Sequence, residues 1–220
     1  MKNNFNLVMS WRQKAVFCLE IMLSSKNYVQ ILDNTQEANV FNVIGFSLYS
    51  KALIEIRKIL EPSTKDKKAN LPTLITYIKN NKDNFINQHY ESALKRYINE
   101  DISDNHEMSD MLEYINKQEA MEAKEKCQQQ INLVVKMWDV FWNKLGTEYA
   151  FIRDNRDYLV HSFSITTTTF PSISKLYKVL NISTWFLKKI DFIMNNSSYG
   201  YKYEKEQLSN ISKKFWSHVK

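Results

Sequence analysis

Glycine and proline are scarce in this sequence, with three residues of each among 220. None of the glycines forms part of a phosphate-binding loop of the GxGxxG or GxxxxGK(S/T) kind, which argues against nucleotide binding through such a loop. The long stretches between them are rich in Leu, Ile, Lys, Glu, Gln and Ala, most of which lose little side-chain freedom in a helix. The composition therefore predicts an all-α protein.

Cysteine is also rare, and Cys18 and Cys127 lie far apart in sequence and in helical contexts. This predicts two free thiols in a reducing compartment. A zinc site requires a denser cluster of ligands, so we expect no metal and no cofactor. Residues 1–7 lack the continuous apolar segment of a secretion signal, and no window approaches the roughly 20 apolar residues of a membrane span. We therefore expect a cytoplasmic protein without a membrane partner.

Apolar periodicity, together with helix start and stop signals, divides the chain into helices. The clearest one starts with Asn34 as its cap and Glu37 three residues later, and it ends before Pro62. Its 3.6-residue apolar stripe predicts a core helix and consists of Phe41, Ile44, Leu48, Ala52, Ile56 and Ile59. Further helices are predicted over residues 7–32, 72–80, 85–98, 107–145, 149–161, 171–194 and 204–218.

The predicted helix over residues 107–145 is long and partly exposed to solvent. Residues 117–126 are polar nearly all round, which predicts that this part projects into solvent or pairs with another chain. Gly146 is expected to end or kink the helix, so that residues 149–161 form a separate short helix. The β-branched residues 165–169 favour extended chain. Together the helices predict an up-and-down bundle over residues 1–200, with residues 201–220 as a basic, aromatic helix packed on it or extending from it.

The charge balance weakly favours an anionic partner. Thirty Lys and Arg residues against 24 Asp and Glu residues give a formal net charge of +6, which favours a polyanion but is too small to establish one. Residues 201–205 and 213–216 interleave aromatic residues with lysines, as proteins that bind single-stranded RNA do. Packing of these aromatic rings on the bundle is the favoured alternative, because Glu204 and Glu206 interrupt the basic run.

One short segment combines residues suited to proton transfer and phosphate binding. His161 has Arg153, Arg156 and Asp157 within two helical turns. Arg153, Asp157 and His161 follow each other at intervals of four residues and share a face of an ideal helix. A carboxylate beside the imidazole would fix its tautomer and favour its protonated form. Residues five apart point about 140° away from each other, so Arg156 and His161 do not converge on one phosphate in a single regular helix.

A helix end at His161 and a twofold dimer that sets the short helices of two chains together would resolve this angular problem. In such a composite cleft, His161 would take the proton of a ribose 2′-hydroxyl or give one to the leaving 5′-oxygen. Arg156 would bind the phosphate and stabilise the charge of the transition state. This reaction needs no metal and leaves a cyclic phosphate. Arg153 and Tyr158 are further candidates for contacting RNA, through a phosphate and by stacking on a base.

The segment Arg156–His161, with the sequence RDYLVH, resembles the R-x-x-x-x-H motif of HEPN ribonucleases, including the polar residue directly after the arginine. Its context is also similar to the abortive-infection branch of that superfamily, because an amphipathic helix ending in Leu60-Glu61-Pro62 is followed by a loop and then by Leu71-Pro72. The likeness spans roughly residues 1–165, but only the short motif is specific.

The resemblance implies a HEPN-type helical bundle that dimerises around the motif and cuts RNA, either tRNA or mRNA. It also implies a role as the toxin of a toxin-antitoxin or phage-defence system, with an antitoxin protein such as a nucleotidyltransferase as partner. Phe163 occupies the position where some HEPN toxins carry a tyrosine that a nucleotidyltransferase modifies, which argues against silencing by that route.

Other interpretations of the same residues remain open. The motif can be a salt-bridge cluster at a helix end, in which His161 only favours the helix C-terminus as a cation. The chain would then be a non-catalytic helical interaction module, or an RNA-binding protein that uses its basic tail. Arg153 can form an exposed ion pair with Asp157, and Tyr158 can pack across a helix interface. The other histidines have no partners at metal-ligand spacing and are expected at the surface; they are His89, His106 and His218.

Overall fold

The computed structural model describes residues 1–29, 36–61, 69–95, 106–161, 171–197 and 200–217. Every regular element in these ranges is an α-helix, which confirms the all-α prediction, while the HEPN type of bundle stays a prediction. In chain order the helices are α1 (Lys2–Val29), α2 (Gln36–Leu60), α3 (Leu71–Asn80), α4 (Lys82–Leu94), α5 (His106–His161), α6 (Ile173–Asn195) and α7 (Tyr201–Ser217).

Helix α2 follows its sequence pattern closely in its second half. It ends at Leu60, and Ala52, Ile56 and Ile59 of the predicted stripe are each 0–1% exposed. Ile44 and Leu48 are partly exposed. The predicted cap Asn34 and the predicted stop Pro62 lie outside the described residues, as does the side chain of Phe41. The strongest apolar periodicity in the sequence therefore identifies core residues, and burial increases toward the end of the helix.

The prediction that the helix ends at Gly146 and that residues 149–161 form a separate helix is wrong, because α5 is one helix of 56 residues that runs through this position. Glycine costs a helix about 1 kcal/mol relative to alanine. Ile131 and Val134 before Gly146, and Tyr149 and Ile152 after it, are buried at helical spacing. Burying one such side chain contributes about 1.5–3 kcal/mol, so the packed residues on both sides outweigh the glycine.

The chain divides into two compact units. The first comprises Met1–Leu74, Phe141–Leu187 and Tyr199–Lys220, and the second comprises Ile75–Val140 and Lys188–Ser198. In the first unit, α1 packs most extensively against α2 and next against α7. The largest fully buried side chains of this unit come from six helices and include Leu19, Leu53, Leu71, Ile152, Phe186 and Trp216.

The second unit has its own apolar core, in which the fully buried residues include Ile78, Ala120, Val134, Ile190 and Ile193. The predicted surface position of His89 is wrong, since this residue belongs to that core and is only 3% exposed. Its Nε2 lies 3.0 Å from the backbone carbonyl oxygen of Ile193, and its ring centroid lies 5.2 Å from that of Phe192. A carbonyl oxygen only accepts, so Nε2 carries the proton in this hydrogen bond. His106 has no described side chain, and His218 lies outside the described ranges.

Cys18 and Cys127 are both free thiols and both buried, as the sequence predicts for two unpaired cysteines. Cys18 belongs to α1 and Cys127 to α5. Within the described ranges, no helix is both long enough and apolar enough to cross a membrane.

Candidate functional site at the C-terminal end of α5

Helix α5 carries the whole predicted site in its last described turns. Arg153, Asp157 and His161 follow each other at one-turn intervals on this single continuous helix. Arg156 lies five positions before His161, so a regular helix separates the two by about 140°. The side chains of Arg156, Asp157, Tyr158 and His161 are outside the part that the structure describes, so their contacts stay predictions.

Two buried residues fix the last turns of α5 in the first unit. Tyr149 is 6% exposed and Ile152 is 1% exposed. The Tyr149 ring centroid lies 6.0 Å from that of Trp142. Burial, followed by the nearby Glu61 carboxylate, raises the pKa of the Tyr149 phenol, and Arg57 of α2 partly offsets this by its charge and a hydrogen bond. The segment that leads into the motif is therefore held from α2.

Exposed cations lie beside this segment. Arg153 is exposed, and its Nε donates a 2.9 Å hydrogen bond to Oδ1 of Asp154. The sequence also allows an ion pair between Arg153 and Asp157, but the side chain of Asp157 lies outside the part that the structure describes. The Nζ of Lys175 in α6 lies 5.1 Å from the centre of the Phe151 ring, and Lys175 is also exposed. Arg153 and the contact of Lys175 with Phe151 thus lie within the same turn of α5, just before the motif.

The position of Lys175 depends on how α6 begins. The Ser172 hydroxyl accepts a 3.2 Å hydrogen bond from the backbone amide of Lys175, which caps the first turn of the helix. The Tyr49 hydroxyl of α2 donates a 2.6 Å hydrogen bond to the backbone carbonyl oxygen of Pro171. The start of α6 is thereby tied to α2, which also contacts Tyr149. Phe163 and the predicted extended run of residues 165–169 lie outside the described ranges.

Sequence reasoning missed Lys175 and Arg57 as neighbours of the turns that precede the motif. Neither lies near Arg153 in sequence, and neither belongs to a motif of its own. Only the packing of α2 and α6 against α5 brings them there. A single sequence contains no local signal for such a neighbourhood.

The C-terminal helix is the second region that the sequence associates with RNA. Trp216 is 2% exposed, and its indole Nε1 donates a 2.8 Å hydrogen bond to the carbonyl oxygen of Ile21. Glu204 is 9% exposed and pairs with Arg12. Tyr203 is 67% exposed. Trp216 is therefore used in packing and offers no free face for a base, as the alternative interpretation of the tail predicts.

No family model matches the sequence, and no curated protein and no solved structure matches it either. The resemblance to HEPN ribonucleases therefore rests on the motif and on its sequence context. No group of three or more potential metal ligands occurs among the residues that the structure describes.

Proposed function

We propose that this protein is a metal-independent endoribonuclease of the HEPN type that acts as the toxin of a toxin-antitoxin or phage-defence system. The observation that carries the proposal is that the R-x-x-x-x-H segment forms the last described turns of α5, directly after the buried Tyr149 and Ile152. A helix end at His161, as the sequence predicts, would place the partial negative charge of a helix C-terminus beside the imidazole and favour its protonated form. The exposed cations Arg153 and Lys175 beside the same turns favour the approach of a phosphate backbone.

The proposed reaction uses side chains alone. One His161 takes the proton of a ribose 2′-hydroxyl, and the 2′-oxygen attacks the adjacent phosphorus. The same His161, now protonated, gives this proton to the leaving 5′-oxygen, so the products are a 2′,3′-cyclic phosphate and a free 5′-hydroxyl. Arg156 binds the phosphate and stabilises the extra negative charge of the transition state. Asp157, one turn before His161, orients the imidazole and favours its charged form.

The proposed site is shared between two chains. The angle of about 140° between Arg156 and His161 on one regular helix keeps them from the same phosphate within a single copy. A twofold axis near the end of α5 would bring Arg156 of one copy to the phosphate that His161 of the other copy acts on. Arg153 and Lys175 then guide the flanking phosphates, and Tyr158 stacks on a neighbouring base.

The first test compares RNA cleavage by the wild-type chain and by Arg156→Ala and His161→Ala in the presence of a chelator. We expect wild-type cleavage with cyclic phosphate ends and a loss of about 10²- to 10⁴-fold in each variant, as is typical for removing a general acid or base. His106→Ala, at the other end of α5, is the matched control and should cleave like wild type. Equal cleavage by all four folded proteins, or none by wild type, contradicts the catalytic proposal.

Mixing the two inactive variants tests the shared site. A mixed dimer of Arg156→Ala and His161→Ala chains retains one Arg156 and one His161, and we expect part of the wild-type cleavage to return. Each variant alone stays inactive at the same total concentration. Failure of the mixture to recover cleavage, although mass spectrometry detects the mixed dimer, contradicts a site composed of both chains.

A second candidate function, a helical module that binds another protein without catalysis, is favoured by a different observation. Met111, Tyr114 and Met121 are 53–65% exposed on α5 and lie at positions that share one side of the helix. Exposed apolar side chains at helical spacing are typical of helix–helix interfaces. A chain that still associates but never cleaves RNA, with or without Arg156 and His161, would support this candidate.

A further inference from the structure

Helices α1 and α7 border a cavity of about 610 Å³ in the first unit. Two contacts hold these helices together: the ion pair of Arg12 with Glu204 toward the start of α7, and the hydrogen bond of Trp216 to Ile21 toward its end. The cavity volume lies within the range of roughly 300–1,000 Å³ that is typical of small-molecule sites.

One side of the cavity carries a buried carboxylate. Glu20 of α1 lines the cavity and is 6% exposed. The Tyr177 hydroxyl of α6 donates a 2.8 Å hydrogen bond to Oε1 of Glu20. Among the described residues no cation pairs with this carboxylate. A carboxylate has two acceptor oxygens, so Glu20 can accept further hydrogen bonds besides the one from Tyr177. Further donors would also offset the cost of burying this carboxylate.

The other side of the cavity is cationic and polar. Lys213 and Lys214 of α7 are exposed and line the cavity, together with the hydroxyls of Ser24 and Ser209. Lysine is a point charge that serves as a phosphate ligand. A molecule that satisfies both sides carries hydrogen-bond donors at one end and an anionic group at the other.

Among the nucleotides, those of guanine match this arrangement best. The guanine base presents N1–H and the N2 amino group side by side, and two adjacent donors fit the two oxygens of a carboxylate. Adenine and cytosine present one amino group next to an acceptor nitrogen, and uracil presents one N–H between two carbonyl oxygens. A carboxylate is an acceptor only and therefore disfavours all three.

We propose that the cavity between α1 and α7 binds a guanine nucleotide, with the base on Glu20 and the phosphate on Lys213 and Lys214. Tyr177 acts as a positioning residue because its hydrogen bond orients the Glu20 carboxylate. This site requires no glycine-rich loop, and it does not depend on the proposed ribonuclease activity. The nucleotide can be a free molecule or a guanine within RNA, and both present the same groups.

Calorimetric titration of the full chain with GMP, AMP and UMP tests the base specificity. We expect GMP to bind at least roughly tenfold more tightly than AMP or UMP, because hydrogen bonds to a charged group contribute that much. Equal affinities for the three nucleotides, or no binding of GMP at millimolar concentration, overturns the proposal.

Variants of the cavity residues test each end of the nucleotide. Glu20→Gln keeps an oxygen for the Tyr177 hydroxyl but presents an amino group to the base, so the preference for GMP should be lost. The double variant Lys213→Ala/Lys214→Ala should weaken GMP at least roughly tenfold and leave guanosine unchanged. Lys14→Ala, on an exposed position of α1 that does not line the cavity, is the matched control. If Glu20→Gln does not fold, the lysine variants and the titrations of wild type with GMP, AMP and UMP still test the proposal.

A final comparison identifies the source of the guanine. A short 2′-deoxy oligonucleotide with one guanine cannot be cleaved by 2′-hydroxyl attack, so its binding is measured directly. Tighter binding of this oligonucleotide than of GMP assigns the cavity to a guanine within a nucleic-acid strand, whereas tighter binding of GMP assigns it to the free nucleotide. Repeating the titrations with His161→Ala separates the two proposals, since nucleotide binding should persist where cleavage is lost. Loss of GMP binding in that folded variant overturns the independence of the two sites.

Discussion

The indole of Trp216 in α7 donates its hydrogen bond to the backbone carbonyl oxygen of Ile21 in α1, across 195 positions of sequence. Trp216 is also one of the largest fully buried side chains of the first unit. Helix α7 is thus part of the packed structure of that unit. Removal of α7 would expose to solvent the side of α1 against which it packs.

Substitutions of Trp216 should separate the hydrogen bond from the ring volume. Trp216→Phe keeps most of the buried ring volume but leaves the Ile21 carbonyl oxygen without its hydrogen-bond donor. We therefore expect a loss of about 1–3 kcal/mol in the free energy of unfolding. Trp216→Ala also leaves a large cavity and should lose about 3–5 kcal/mol. Urea denaturation followed by circular dichroism measures both. A Trp216→Ala protein as stable as wild type would contradict the packing role of α7.

Deletion of residues 201–220 should destabilise the first unit, because it removes Trp216 and leaves Arg12 buried without Glu204. A loss of RNA binding in the deleted chain would therefore not identify the tail as an RNA-binding element. The double variant Lys213→Ala/Lys214→Ala, at exposed positions, tests the basic charge of α7 while the packing residues stay in place. A deleted chain with an unchanged melting temperature would contradict this expectation.

The pairing of Arg12 with Glu204 gives a second prediction. Arg12 is 3% exposed, pairs with Glu204 and donates a 2.7 Å hydrogen bond from Nε to the Thr184 hydroxyl. Arg12→Ala leaves a buried carboxylate without its cation, and we expect a loss of about 3–5 kcal/mol in the free energy of unfolding. The double variant Arg12→Met/Glu204→Leu removes both charges and should recover most of that loss. If the double variant is less stable than Arg12→Ala, desolvation is not the main cost.

Local patterns predicted the helices well, because helix formation depends on residue type and on apolar spacing within a few turns. The burial of Ala52, Ile56 and Ile59 follows directly from such spacing. Long-range pairing has no local signal. The hydrogen bond of His89 to the Ile193 carbonyl joins residues 104 positions apart, and nothing around His89 in the sequence indicates burial.

The candidate site was accessible to sequence reasoning only in part. The motif from Arg156 to His161 is a local pattern, and its location on a helix follows from local signals. Its surroundings are not local, because Lys175 reaches α5 through the capped start of α6 and Arg57 reaches it from α2. The cavity beside Glu20 was not predicted at all, since its walls come from α1 and α7 at opposite ends of the chain.

The continuity of α5 gives a third prediction at Gly146. A Cβ atom added at this position meets nothing within 4 Å, and the glycine has no positive φ angle. Gly146→Ala should therefore stabilise the protein by about 0.5–1 kcal/mol, because alanine loses less backbone freedom on folding. Gly45→Ala in α2, also with nothing within 4 Å, is the matched control for a helical glycine. Destabilisation at Gly146 alone would indicate a break in the helix there.

Burial of Cys127 gives a fourth prediction, on its reactivity and on the effect of alkaline pH. Cys127 is 0% exposed, and burial raises its pKa to about 11, against about 8.5 for an exposed thiol. At pH 8 the folded protein therefore holds far less of the reactive thiolate than the unfolded chain. In a Cys18→Ala background, we expect a thiol reagent to modify Cys127 at least roughly 100-fold more slowly without denaturant than with it.

The raised pKa of Cys127 also makes the free energy of unfolding decrease as pH rises. The folded state keeps the Cys127 proton more firmly than the unfolded chain does, so this contribution to stability is complete below about pH 8.5. It is lost as pH rises toward about 11. Half-buried Tyr177 acts in the same direction at higher pH, since partial burial and its hydrogen bond to Glu20 raise the pKa of its phenol. Denaturation between pH 7 and pH 10.5 measures this decline, and Cys127→Ala should reduce the part of its slope that begins near pH 8.5. A wild-type stability that rises with pH over this interval would contradict the burial of these groups.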